Sequence, residues 1–477
     1  MKAKNIFKLF FIGALLTFTS CDENDLDLKY ELGDVYDTST GHIESETKLI
    51  YVTNGIYNSV GGAGLYGAQY LIFNDVVSDN IFVSNSNDGY NVSYQNLSWS
   101  GDSDLGFLDV GYNGINQANI VINEGSLPTT DVTKSLKGEA KLLRGFLYFT
   151  LVQLYSSNPT SGQYQEFGIP LNLGIYNPNT KYSRATVAEV YDQIIKDLSE
   201  GIVEMNPNFR TTDAKTFISP LAGKLILSKV YLTRGASGDY DKAIALADEV
   251  MAAQPPITKD KLYDYFTSTN VALLEQQPET LFEINQTANY NLAVNAHIST
   301  FYSNSGSHRS LLAREAFYNQ INSGDERKRL FNTSGAPVTD TPKGVWLRKW
   351  PRNTGDGNWT VNVKVLRATE AKYIKMEALA KKGDSAAALA LLNEHAAERG
   401  ANPYSGDAIT AILADKKIEF IGEGHRFTDL KRNGLGFERE TNCLSCSMPA
   451  DSKYWVIPMP LSEMNRNPNM TQHPVWK

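Results

Sequence analysis

Paired amphipathic segments, each pair separated by a Gly-Asp break, limit this chain to a helical architecture. Pro220–Arg234 and Tyr240–Ala253 form one pair around Gly238-Asp239, and Lys364–Lys382 and Ser385–Arg399 form another around Gly383-Asp384. The fourth residue after each break is an alanine, Ala243 or Ala388, small enough to let two helices cross closely. Two longer segments carry the same signal. Lys134–Tyr155 sets Ala140, Leu143, Leu147 and Leu151 on one stripe at helical spacing. Thr186–Met205 does likewise, opening on Thr186 and Glu189, the spacing of a capping box.

Helix pairs with small crossing residues are features of tetratricopeptide-like repeats, here degenerate. The expected fold is therefore mainly α: a scaffold of tetratricopeptide-like helix pairs with long irregular loops. The loops are Asp79–Gly106, Gln286–His308 and Asn332–Asn362, rich in Asn, Ser, Gly and aromatics. Structureless stretches of that length inside a globular chain are usually functional. The proline-rich end, Phe437–Lys477, carries Tyr454, Trp455, Ile457 and Trp476 and reads as irregular but packed.

The first residues read as a leader. Lys2, Lys4 and Lys8 precede the apolar run Leu9–Leu16, and Cys21 follows small residues. The run is shorter than the roughly 20 residues needed to span a bilayer, so residues 1–20 are expected to be a lipoprotein signal peptide, with Cys21 the lipidated residue and the protein held by acyl chains, not by a helix. Asp22, Glu23, Asp25 and Asp27 open an acidic tether over 21–40. Residues 41–477 are expected to form one domain, with a helical part over 41–255 and a C-terminal part over 256–477. The formal net charge is −8, and loss of the three leader lysines makes the mature chain more acidic still. Such a surface argues against nucleic acid as a partner, and makes strongly anionic polysaccharides poor ligands unless a local basic patch intervenes. Beyond Cys21 only Cys443 and Cys446 remain; in an oxidising compartment a local disulfide is expected, with free thiols the alternative and no second Cys or His pair for zinc.

Four blocks, in order behind that leader, resemble the SusD/RagB family of outer-membrane lipoproteins of Bacteroidetes. They are Tyr112–Asn119, Glu139–Phe149 with Arg144, Lys417–Arg432 with Glu419, Glu423, Arg426 and Asp429, and the tail from Trp455 through Pro458, Pro460, Glu463, Asn467-Pro468 and Gln472 to Trp476. Lys416-Lys417 stands where the family usually has Glu-Arg, and Asn393–Ala396 replaces an Arg-containing run. The resemblance implies a non-enzymatic surface protein that captures oligosaccharide. It would act as a lid on a SusC-like TonB-dependent transporter, with helices facing the transporter and loops binding ligand. It implies no cofactor. A peptide-capturing member and a scaffold without ligand are the alternatives from other classes.

Aromatic rings stack on the apolar faces of sugars while Asn, Asp and Arg bond the hydroxyls. The first loop offers Asp79, Asn80, Asn87, Tyr90, Tyr94 and Trp99 for this, and Tyr290, Tyr302, Trp346, Trp350 and Trp359 would complete an aromatic arc. The resemblance places Asp79-Asn80 and Trp99 near an acidic residue and a stacking tryptophan of the starch-binding relative. Glu419, Glu423, Arg426 and Asp429 recur at helical spacing. They read as a buried ion-pair network on one helix face rather than a glycosidase pair, with Gly422 and Gly424 marking tight backbone packing. Gly62–Gly67 matches a dinucleotide fingerprint by letters but follows no strand. No two of the six histidines fall at zinc-hydrolase spacing. Asn85–Gly89 and Gly101–Asp104 carry oxygen ligands suited to calcium but read as turns. No catalytic or metal residue is assigned.

Overall fold

The computed structural model describes residues 43–210, 215–269, 279–353 and 359–477. Cys21 and the acidic tether lie outside them. The N-terminal part is built from α1 (Glu46–Val60), α2 (Gln69–Val76), α3 (Phe107–Asn123) and α4 (Asp131–Tyr155). Thr130 caps α4 and exchanges bonds with Thr133, a reciprocal pair that satisfies the first-turn N–H groups. The apolar stripe expected on this helix is really a cylinder. Leu142, Phe146, Tyr148, Phe149 and Val152 are buried as well as the stripe, because α4 packs against α1, α3, α5 (Val187–Glu204) and α6 (Pro220–Arg234) at once. A Cβ on Gly201 of α5 would sit 2.7 Å from the Gly138 carbonyl oxygen of α4, so glycine lets those two helices touch. Arg144 then locks α4 to α5, donating to Asp197 at 2.6 and 2.8 Å, and reaches Asn119 of α3 at 2.8 Å.

From α5 onward the helices stack as a short solenoid. α6 pairs with α7 (Asp239–Ala253), α7 lies on α8 (Thr369–Lys381), and α8 pairs with α9 (Ser385–Arg399) and packs on α10 (Ala408–Glu419). Ala243 and Ala388 are buried at these crossings, and Ser228 of α6 donates to the Ala243 carbonyl at 2.8 Å. Thr186 and Glu189 form the expected capping box on α5. One boundary differs. Val363–Arg367 is not the start of α8 but a strand, β6, antiparallel to β2 (Thr280–Ile284). Val363, Lys364, Leu366 and Arg367 are buried, so both faces of the strand are covered, and pairing across about eighty residues overrides the helical spacing.

Other strands are short and paired in twos: β1 (Ile81–Val83) with β3 (Leu311–Ala313), β4 (Phe331–Asn332) with β5 (Trp346–Leu347), and β7 (Phe437–Glu438) with β8 (Ser447–Met448), all antiparallel. The C-terminal segment is packed, with Ile457 N–H donating to the Leu154 carbonyl at 2.8 Å and Trp455 stacked on Phe427. A single hydrophobic cluster runs from Ile43 to Met470 and so includes residues of both parts of the chain. No helix among the described residues is long and apolar enough to cross a membrane.

The acidic and basic residues of 419–429 do not share one helix face. α10 ends at Glu419, the chain turns through Gly422 (φ 81°) and Gly424 (φ 74°), and α11 (Arg426–Arg432) begins afresh. A Cβ on Gly424 would meet the Leu71 Cα at 2.7 Å. All four side chains enter buried or half-buried ion pairs, but with different partners. Glu419 meets Arg327, Arg367 and Arg399; Glu423 meets Lys349 and Arg367; Arg426 meets Asp79; Asp429 meets Lys416 and Arg432.

Candidate functional site

Three loops far apart in sequence meet on one surface because of that small strand set. β1 opens the first loop, β3 closes the second, and Ala313 at the end of β3 bridges to Val345 at the end of the third loop's first half. Cross-loop bonds complete the junction. Ser84 Oγ and Asn85 N–H donate to buried Asp340 at 2.6 and 2.7 Å, tying loop one to loop three. Arg352 donates to the Ser305 carbonyl at 2.6 Å and lies 4.9 Å from the Trp359 ring centroid, tying loop three to loop two. Asp88 of loop one pairs with His308 Nδ1 of loop two. The His308 ring stacks at 5.1 Å and 18° on buried Phe301, and Tyr90 stands 4.5 Å from His308 with 43% of its surface exposed. Asn85–Tyr90 are exposed in a continuous run. The result is an open phenol ring backed by a rigid aromatic pair and flanked by a carboxylate and amides, suited to a neutral polyhydroxylated ring.

The aromatic arc expected from sequence does not form. Trp99 is 4% exposed, wedged against Phe73 and Tyr454. Tyr302, Trp346 and Trp350 are buried, Trp350 donating to the Gly422 carbonyl at 2.8 Å, and Trp359 is covered by Arg352. Tyr94 is half-buried on Phe73. These rings fill the space beneath the loops, where each removes far more apolar surface from water than it could on a ligand. Asp79 faces Arg426 at 2.8 Å and Lys417 at 2.9 Å. Burial alone would raise its carboxyl, but those two cations hold it well below the usual range. Asn80 is fully buried. Asn80 presents no group to solvent, and the Asp79 carboxylate is engaged by its two cations. Tyr290 is 55% exposed, but it sits over α1, donating to Asn58 at 2.6 Å beside a separate groove of about 190 Å³ lined by Asn54, Phe217 and Ile284.

His308, Phe301, Asp340 and Arg352 were not singled out by sequence. Nothing local marks them; the β1–β3 pairing brings Phe301 and His308 to Tyr90, and the Ala313–Val345 bridge brings in the loop that carries Asp340 and Arg352. Asp88, in the turn considered for calcium, pairs with His308, and the Asn87 amide closes back on the Ser84 carbonyl at 2.5 Å. Among the described residues no group of three His, Cys, Asp or Glu side chains is placed to hold a metal. Cys443 and Cys446 are joined in a disulfide that closes the turn between β7 and β8.

Arg439, just after β7, anchors the root of the first loop. Its guanidinium donates to the carbonyls of Val76, Val77 and Ser78 at the end of α2, to Gln95 and to Ser445. Burial lowers its pKa to about 10, against the opposing pull of Asp79. Arg439→Met is expected to cost about 2–3 kcal/mol, the desolvation of several orphaned carbonyls. It should also raise amide exchange across 79–96, read by mass spectrometry. Unchanged protection there would refute the anchoring role.

The fold and this face define a class: a helical scaffold that presents an irregular, polar, aromatic-bearing loop surface. Comparison with known proteins sharpens it. A family model described as "Starch-binding associating with outer membrane" matches residues 26–232, and the model of the SusD family matches residues 282–476. The chain belongs to the SusD/RagB family. No curated protein matches it. Among solved structures, a SusD superfamily protein from Bacteroides thetaiotaomicron shares 24% identity with a TM-score of 0.80, covering 90% of this chain and 100% of that one. A SusD-like carbohydrate binding protein from Bacteroides vulgatus shares 23% at 0.74, covering 89% and 97%. Surface glycan-binding protein A from Bacteroides uniformis shares 18% at 0.70, covering 91% and 100%. At these identities the likeness establishes the fold.

Proposed function

We propose that this protein is a cell-surface lipoprotein, anchored through Cys21, that captures an oligosaccharide on the three-loop face and passes it to a SusC-like TonB-dependent transporter in the outer membrane. The observation that carries the ligand class is the open Tyr90 ring held against His308 and Phe301 beside Asp88 and Asn87. A sugar's C–H face stacks on such a ring while its hydroxyls bond the carboxylate and amide. Family membership and the names of structural relatives support carbohydrate rather than peptide. The burial of Trp99 is what a ligand-free scaffold would show at that position; the exposure of Tyr90, backed and flanked as described, is what favours a ligand. The role is capture: Glu419 and Glu423, the carboxylates that invite comparison with a glycosidase, are engaged by buried Arg and Lys side chains.

The test is calorimetry of the mature chain against a panel of neutral plant, host and microbial oligosaccharides. Tyr90→Ala is expected to weaken the best ligand at least tenfold, about 1.4 kcal/mol, and Tyr290→Ala to change it less than twofold. Silence of the folded protein across the panel, or a Tyr90→Ala protein that binds as well as the parent, would overturn this reading.

A further inference from the structure

Away from the loop face, the turn after α4, the C-terminal ends of α8 and α11, and residues 450–456 enclose a cavity of about 390 Å³. That is within the range of small-ligand pockets, about 300–1,000 Å³. Its charged lining is lopsided for a protein of net charge −8: Lys381, Lys431 and Arg432 against one carboxylate, Asp451, on the exposed rim.

Lys431 is the unusual member. It is buried, and its ammonium donates only to two backbone carbonyls, Gln153 at 2.6 Å and Ser156 at 2.7 Å. Among the described residues no carboxylate pairs with it, unlike the buried Lys349, Lys372 and Lys416 of this half, which meet Glu423, Glu398 and Asp429. Burial accordingly lowers the Lys431 pKa to about 7. Arg432 is paired on one side, through Nε and Nη2, with Glu377 and Asp429, while its buried Nη1 has no partner among the described residues. A buried cation without a counter-charge is costly, and an incoming anion relieves that cost. The remainder of the wall mixes hydroxyl and amide groups with apolar side chains, Leu435, Trp455, Val456 and Val475 among them, and Tyr164 is partly exposed. Cations, hydroxyl-bonding groups and an aromatic edge are together what a charged sugar needs.

We propose that this cavity is a second ligand site, for a sugar ring bearing a carboxylate, a hexuronic acid unit. The carboxylate would lie between Lys431 and Lys381, beside Arg432, with the ring toward Tyr164. No residue is shared with the Tyr90 face, so the two sites stand or fall separately, and the basic patch lets an acidic protein accept an anionic glycan that its overall surface would repel.

Calorimetry of the mature chain with digalacturonate and diglucuronate, their methyl esters and a sulfated disaccharide tests this. At least one uronate should bind, with its neutral ester at least tenfold weaker. Lys381→Ala, at a half-exposed position, should weaken the acid three- to tenfold. Ala450→Trp, on the exposed rim, should block the cavity and abolish the signal without disturbing the core. Equal binding of acid and ester, binding of the sulfate alone, insensitivity to both substitutions, or silence of both uronates with a folded protein would each overturn the proposal. The neutral panel and Tyr90→Ala read the loop face independently, so failure here leaves that reading intact.

Discussion

Replacing Arg367 with methionine is expected to destabilise the protein by about 4 kcal/mol or more, the cost of leaving buried carboxylates without their cation. Arg367 sits at the end of β6 and joins three of them. It meets Glu279 at 2.6 Å, Glu419 at 3.0 Å and Glu423 at 2.7 Å, and its guanidinium lies 4.1 Å from the Phe420 ring centroid. Burial alone would raise the Glu419 carboxyl, but Arg399 and Arg367 hold it well below the usual range. Methionine fills similar volume and leaves Arg399, Arg327 and Lys349 to serve carboxylates they cannot all reach. The network joins Glu279 just before β2 to β6, α9, α10 and the turn at Gly422, so the loss should appear as a lower urea midpoint of the whole chain. Arg367→Lys should recover part of it. Lys224→Ala, which breaks the half-exposed Lys224–Glu249 pair, should cost under about 1 kcal/mol. A drop of that smaller size for Arg367→Met would show the network to be dispensable.

Asp75→Asn is expected to flatten one component of the pH dependence of stability. Asp75, in α2, is fully buried; its Oδ2 accepts from the Gly424 N–H at 2.9 Å and its Oδ1 has no partner among the described residues. Burial raises its pKa to about 7, against the opposing pull of the Gly424 N–H and Lys349. The folded value lies above the unfolded one, about 3.9. Its contribution is therefore complete below pH 4 and drains away as pH rises through 7. Asparagine keeps the acceptor and cannot ionise. Relative to the parent, the variant should gain up to about 4 kcal/mol between pH 4 and pH 8, three pKa units at 1.36 each. Thermal midpoints at those two pH values measure it. Asp429 has the opposite sign: burial would raise it, but Lys416 and Arg432 hold it at about 2, so its stabilisation is lost only in acid. A pH-independent difference between Asp75→Asn and parent would mean Asp75 is ionised in the fold throughout.

Local signals were legible wherever one segment carries its own instruction. The Thr186–Glu189 box, the Gly-Asp breaks and the alanines at 243 and 388 mark helices and crossings because capping and i, i+4 packing are decided within a few residues. The same reasoning failed at Val363–Arg367, where a strand partner from 280–284 outweighs helical spacing. It failed again at 419–429, where two left-handed glycines split one apparent helix into two. At the candidate site, Tyr90 was among the aromatics singled out, but so were Trp99, Tyr302, Trp346 and Trp350, which are buried. An aromatic in a loop is equally fit to cover a core or to stack on a sugar, and its letter does not say which.

The sequence by itself determined a helical scaffold, paired helices at small-residue crossings, the long polar loops and the family blocks from Tyr112 to Trp476, since each depends on short-range periodicity or on contiguous residues. Only the tertiary structure decided which rings face solvent, that Asp88 and His308 lock two loops together, and that Lys381, Lys431 and Arg432 line one cavity. Those arrangements arise from contacts between residues tens to hundreds of positions apart. Burial there is set by what packs on top, a quantity no local pattern contains.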